Sequence, residues 1–191
     1  MGTSITVLKR IKPPLRWYPT VGDATNQFLD DKSRDPNGPT RDELTSGDNS
    51  TLQEAVRILG RCLPPSDPPT KETGIVVGYV QSGKTLSFET VISLARDNRY
   101  GLVVVLVGTK NNLRDQSEER LKKDLGIQDG DNWHHFGNPG LPKRQQITDR
   151  IAAWQRAPER KKAVLVTVLK HGTHLDNLAK LLQKLSLSQV P

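Results

Sequence analysis

Eight consecutive residues constrain this chain more than any others. Gly78-Tyr79-Val80-Gln81-Ser82-Gly83-Lys84-Thr85 fits the pattern G-x-x-x-x-G-K-[ST] at every fixed position. The run 74–80 that leads into it is apolar and β-branched, and the stretch behind it, about 84–97, has helical spacing, with Leu86, Val91, Ile92 and Ala95 placed to pack on a sheet. A strand, a glycine turn and a helix in that order gather successive backbone amides and the helix N-terminal partial charge around one point. That point suits phosphate. The backbone at Gly78, Gln81, Ser82, Gly83, Lys84, Thr85 and Leu86 is therefore the expected cradle for ATP, with Lys84 reaching the β and γ phosphates as the catalytic residue and the Thr85 hydroxyl a ligand for Mg2+. An ordinary glycine turn before a helix is the weaker reading, because the motif falls where the phosphate-binding mechanism needs it.

The rest of the C-terminal two thirds repeats the same alternation. Leu102–Val107 and 163–168 are apolar on both faces, as parallel strands covered by helices are. The segments 84–97, 111–124 and 143–156 have the spacing and length of crossover helices, and a further helix is expected over 175–185, with Leu175, Leu178, Leu181, Leu182 and Leu185 on one face. The expected fold is α/β: a P-loop (RecA-like) core with a mostly parallel sheet flanked by helices. Ahead of it, 1–49 reads as an N-terminal arm, with 30–48 dominated by Asp, Ser, Pro, Gly and Arg and expected to be loop or disordered. Residues 50–70 read as a helix near 51–62, opened by Ser50 and Gln53 at capping-box spacing, then a connector with four prolines in 64–70. The P-loop domain then spans 71–191.

Two further loops follow expected strands. Thr109, Lys110, Asn111, Asn112, Arg114 and Gln116 come after the first, and Lys170 after the second. Ligands collect at the carboxyl ends of parallel strands, and these side chains donate to phosphate or sugar oxygens. With 28 Lys and Arg against 21 Asp and Glu the formal charge is +7, which favours a polyanion such as DNA as partner. His134, His135, His171 and His174 lack Cys or carboxylate partners at ligand spacing, so no metal is expected on them. Trp133 to Phe136 read as a local packing plug. The single Cys62 makes no internal disulfide, and no stretch is long and apolar enough to cross a membrane, so a cytoplasmic protein is expected.

Val76-Val77-Gly78-Tyr79-Val80-Gln81-Ser82-Gly83-Lys84-Thr85, with Asn111-Asn112-Leu113-Arg114-Asp115-Gln116 some thirty residues on, resembles the Z-one domain of proteins classed as endonucleases, a family similar to the superfamily-two helicases and restriction-enzyme motors. Gln81-Ser82 inside the loop is the most specific mark, and Leu113-x-x-Gln116 is similar to the helicase motif that contacts a DNA strand. The resemblance spans roughly 51–185 and is strongest over 74–120. It implies the first lobe of a DNA-dependent ATPase in a bacterial or phage DNA-processing or defence protein.

Hydrolysis also needs an acidic residue at the end of an apolar strand to hold Mg2+, and neither Leu102–Val107 nor 163–168 ends in one. The family's acidic motif, second lobe and nuclease are expected in a longer parent, of which this chain would be an N-terminal piece, with weak or no turnover alone. A small P-loop kinase and a DNA-binding module with a vestigial P-loop are the competing readings.

Overall fold

The computed structural model of the chain describes residues 14–68, 70–76, 84–108, 119–127 and 132–185. In chain order these form α1 (Asp23–Ser33), α2 (Arg41–Thr45), α3 (Thr51–Leu59), α4 (Lys84–Asp97), β1 (Leu102–Val107), β2 (Trp133–Gly137), α5 (Arg144–Arg156), β3 (Ala163–Leu169) and α6 (Gly172–Lys184). A single 3-10 turn, Leu141–Lys143, leads into α5, and 119–124 is a short helical stretch.

All pairing is parallel, in the order β1-β3-β2, so the last strand in sequence is the middle one. Every residue of β3 is buried. A strand paired on both edges and covered on both faces must be apolar throughout, and Ala-Val-Leu-Val-Thr-Val-Leu is, apart from Thr167. Alternate residues serve two layers. Val103, Val105, Ala163 and Leu165 meet Ile92 of α4, Phe28 and Leu29 of α1 and Leu121. On the other face Val104, Val164, Val166 and Val168 meet Ile147 and Ile151 of α5 and Leu178 and Leu181 of α6. The result is an α/β structure, a three-stranded parallel sheet with helices on both faces.

The N-terminal third differs from its expected form. The run 30–48, expected as loop, holds the end of α1 and all of α2. Their stabilisation is mostly non-local, which is why a helical period is hard to see. The Asp97 carboxylate at the end of α4 accepts from the backbone N–H groups of Gly22, Ala24 and Thr25 at 3.0, 3.0 and 2.9 Å, and from the Thr25 hydroxyl at 2.6 Å. It thus satisfies the orphan donors of α1 from another helix. Leu29 and Leu44 are fully buried against the α4 face. A capping box of Thr40 and Glu43 opens α2, and Asn98 hydrogen-bonds both backbone groups of Thr20, 2.8 and 2.9 Å. Residues 14–63 form a helical layer on α4. No helix among the described residues is long and apolar enough to cross a membrane.

Two other expectations change. Trp133 to Phe136 form β2, paired along β3 from Trp133↔Ala163 to Gly137↔Thr167, and not a local plug. Five residues with two central histidines give too short an alternation to read as a strand. Of the expected strand 74–80, Gly74, Ile75 and Val76 lie outside the sheet, Ile75 and Val76 being 88% and 68% exposed; 77–80 fall outside the described residues. Just ahead of this segment the Arg16–Glu72 ion pair at 2.7 Å ties the end of the connector to the N-terminal layer, and the Tyr100 hydroxyl, donating to the Leu63 carbonyl at 2.5 Å, ties that layer to the chain after α4.

The remaining helices agree in type and nearly in bounds. The helix expected over 111–124 is helical at 119–124, with 111–118 outside the described residues, and the one expected from 175 starts at Gly172.

Candidate functional site

The site is best built from the helix whose start carries the motif. α4 begins at Lys84, has no acidic residue in its first turn and leads back into β1: Leu86 near its start packs on the same cluster as Val105, while Leu94 and Ala95 further along belong to the cluster against which Val103 and Tyr100 pack. Its N-terminus therefore lies at the carboxyl edge of the parallel strands, the edge where ligands gather in such sheets. Thr85, a ligand candidate for Mg2+, is half-buried in the first turn, and the Ser87 hydroxyl donates to the Glu54 carboxylate at 3.3 Å, tying that turn to α3. Gly78, Gln81, Ser82 and Gly83 lie outside the described residues, as does the side chain of Lys84.

At the same edge β1 ends in Val107 and Gly108. The backbone N–H of Lys170, just past β3, reaches the carbonyls of Val107 and Gly108 at 3.2 and 3.3 Å. Lys170 is exposed and so stands beside the exit of β1, from which the chain continues into Lys110, Asn111, Asn112, Arg114 and Gln116, all outside the described residues. Asn138, with φ 44, turns the end of β2 over β3: its N–H donates to the Thr167 carbonyl and its side-chain oxygen accepts from the Leu169 N–H, both 2.8 Å. Asn is among the few residues that take this backbone conformation cheaply. The His135 ring nitrogen is 2.9 Å from the Thr167 hydroxyl. Among the described residues no group of three or more His, Cys, Asp or Glu is placed to hold a metal ion.

A charged cluster inside the same helix escaped the motif reading. Glu89, on α4 one turn beyond Thr85, is 1% exposed, and no donor among the described residues engages either carboxyl oxygen, while the Asp124 side chain lies close beside it. Lys32 of α1 lies 4.0 Å from it but is engaged with Asp124 at 2.5 Å, and Arg120 also pairs with Asp124, at 3.3 Å. Burial, and then the negative charge of Asp124, push the Glu89 carboxyl up to about 8, against the opposing pull of Lys32 and Arg120. At neutral pH Glu89 is mainly a neutral acid, which is how a carboxyl survives there. The only hint in the sequence is an acidic residue amid the buried stripe of α4.

A cleft of about 620 Å³ opens between Arg61, Cys62, Pro65, Glu72, Ile75 and Tyr100. It belongs to the other end of α4, since Tyr100 follows that helix, and fourteen residues at about 1.5 Å each separate the two ends by about 21 Å. It therefore lies away from the start of α4. Burial, then the nearby Glu72, raise the Cys62 thiol, so it stays protonated and is a poor nucleophile.

Comparison of the chain with protein-family models, with curated proteins and with solved structures finds no match to any of the three.

Proposed function

We propose that this chain binds the phosphates of a nucleoside triphosphate, as Mg-ATP, at the start of α4, and that it is the first lobe of a DNA-dependent ATPase. One observation carries the reading: the Gly78 to Thr85 motif runs without a break into a helix whose N-terminus lies at the carboxyl edge of a parallel sheet. The motif supplies amides, an ammonium and a hydroxyl, while the helix, whose own first turn holds no acidic residue, adds its partial positive charge. In this reading Lys84 neutralises charge on the β and γ phosphates, and Thr85 ligates Mg2+. A DNA backbone would lie along the same edge, against Lys170 and the segment holding Lys110, Asn111, Asn112, Arg114 and Gln116.

Neither β1, which runs out through Val107 and Gly108, nor β3, through Leu169 and Lys170, ends in a carboxylate. Binding without efficient hydrolysis is the expected behaviour, in line with a lobe that works as part of a larger motor. Removing the proposed metal ligand tests this. Thr85→Ala should leave Mg-free ATP affinity near that of the parent and lose most of the gain that Mg2+ adds, read by fluorescence with a labelled ATP analogue. An unchanged Mg2+ dependence would remove Thr85 from the site. Phosphate transfer to a small acceptor above background would favour a kinase instead.

A further inference from the structure

The chain's positive charge is unevenly placed. Between residues 150 and 162 stand five cations, Arg150, Arg156, Arg160, Lys161 and Lys162, and one carboxylate, Glu159. The formal charge of this thirteen-residue stretch is more than half of the +7 of the whole chain. Topology gathers it at one place. α5 ends at Arg156 and β3 begins at Ala163, so 156–162 lies at the amino edge of the sheet, opposite to the proposed phosphate site. Arg99 joins from the neighbouring strand. It precedes β1, is exposed and sits at φ 69, and its guanidinium meets Glu159 at 3.6 Å. The register Leu102↔Val164 and Trp133↔Ala163 sets the chain ahead of all three strands side by side.

Such crowding of like charge does not help the fold, because it costs self-repulsion. In the N-terminal layer cations are matched: Arg16 with Glu72, Lys32 with Asp124, Arg34 with Asp31, Arg41 with Asp30 and Arg57 with Asp48. Arg150, Arg156, Arg160 and Lys161 are exposed and have no carboxylate within ion-pair distance among the described residues. The field extends into β2: burial, then Arg150 and Lys162, lower the His134 imidazole, so it stays neutral at neutral pH.

We propose that this amino-edge patch, Arg99, Arg150, Arg156, Arg160 and Lys161, is a second polyanion surface that binds the phosphate backbone of nucleic acid. Arginine predominates, and its planar fork takes two phosphate oxygens at once. The patch itself carries no exposed large apolar side chain of the kind that a membrane-surface anchor inserts. The surface neither requires nucleotide nor shares a residue with the site at α4.

The test is fluorescence anisotropy of a labelled DNA duplex over a salt series, with the full chain, the triple variant Arg156→Gln, Arg160→Gln, Lys161→Gln, and, separately, Lys170→Gln and Lys84→Ala. Circular dichroism confirms that the exposed substitutions leave the fold intact. The triple variant should bind more weakly, with a log–log salt slope shallower by about two to three, since each phosphate contact contributes about 0.9. Lys170→Gln should remove at most about one, and Lys84→Ala none. A triple variant with parental affinity and slope overturns the proposal, whatever ATP does. So does a parent that binds vesicles of anionic lipid as tightly as DNA, both lost in the triple variant, because the patch would then be an unselective polyanion surface.

Discussion

Glu89 is the side chain whose surroundings most need an explanation, because a buried carboxyl beside a second carboxylate, with no donor among the described residues engaged on it, is costly. Unfolded, it ionises near its ordinary value of 4.5; folded, it holds its proton up to about 8. Between those values the folded chain keeps a proton that the unfolded chain has released, so stability falls as pH rises through that window and levels off above it. Glu89→Gln keeps the shape and removes the titration. It should therefore be the more stable form at pH 8.5, by roughly 2–4 kcal/mol and several degrees in Tm, with the two proteins converging toward pH 4. Thermal unfolding across pH checks this, and parallel pH profiles for parent and variant would show that Glu89 is not the group concerned. The helix around it was legible from Leu86, Val91, Ile92 and Ala95, but the buried acid was not, because its partners Asp124 and Lys32 are supplied by distant segments.

β1 sets the behaviour at the scale of elements. Among the described residues it pairs with β3 alone, and its sequence Leu-Val-Val-Val-Leu-Val has no charge that would blunt an open edge. Leu106 is 45% exposed where β3 is buried throughout. Concentration-dependent self-association through this strand should follow, and Leu106→Lys should reduce it without loss of helix content. Sedimentation velocity over a tenfold range of concentration reads the effect, and a parent chain that stays monomeric throughout speaks against the open edge. β1 and β3 were legible because continuous β-branched apolar runs of that length have few alternatives to a covered parallel strand. β2 was not, since His134 and His135 interrupt its pattern, and it is identified by its pairing with β3. α1 and α2 were hidden for a related reason: the cap that holds α1 is Asp97, more than seventy residues away in sequence.

For the whole molecule, the layer over 14–63 and the sheet form one packed unit, not a core with a loose arm. α1 and α3 both lie on α4, burying Phe28, Leu29, Ala55 and Leu59. Removing residues 1–49 should strip α1 and α2 from the face that holds Ile92 and Leu121, and so cost the cooperative unfolding transition. A shortened chain with an unchanged transition would mean that the layer is dispensable. The candidate site was legible in a different way from the fold. Its motif is a local pattern of eight residues, readable without tertiary context, whereas the nearness of Lys170 to the exit of β1 depends on β3 entering the middle of the sheet. The central claim is that Lys84, at the start of α4, binds the phosphates of ATP. Isothermal titration of Mg-ATP into the parent chain and into Lys84→Ala tests it most directly: the account predicts saturable one-site binding that the substitution abolishes while circular dichroism stays unchanged, and equal affinity in the two proteins, or none in the parent, would contradict it.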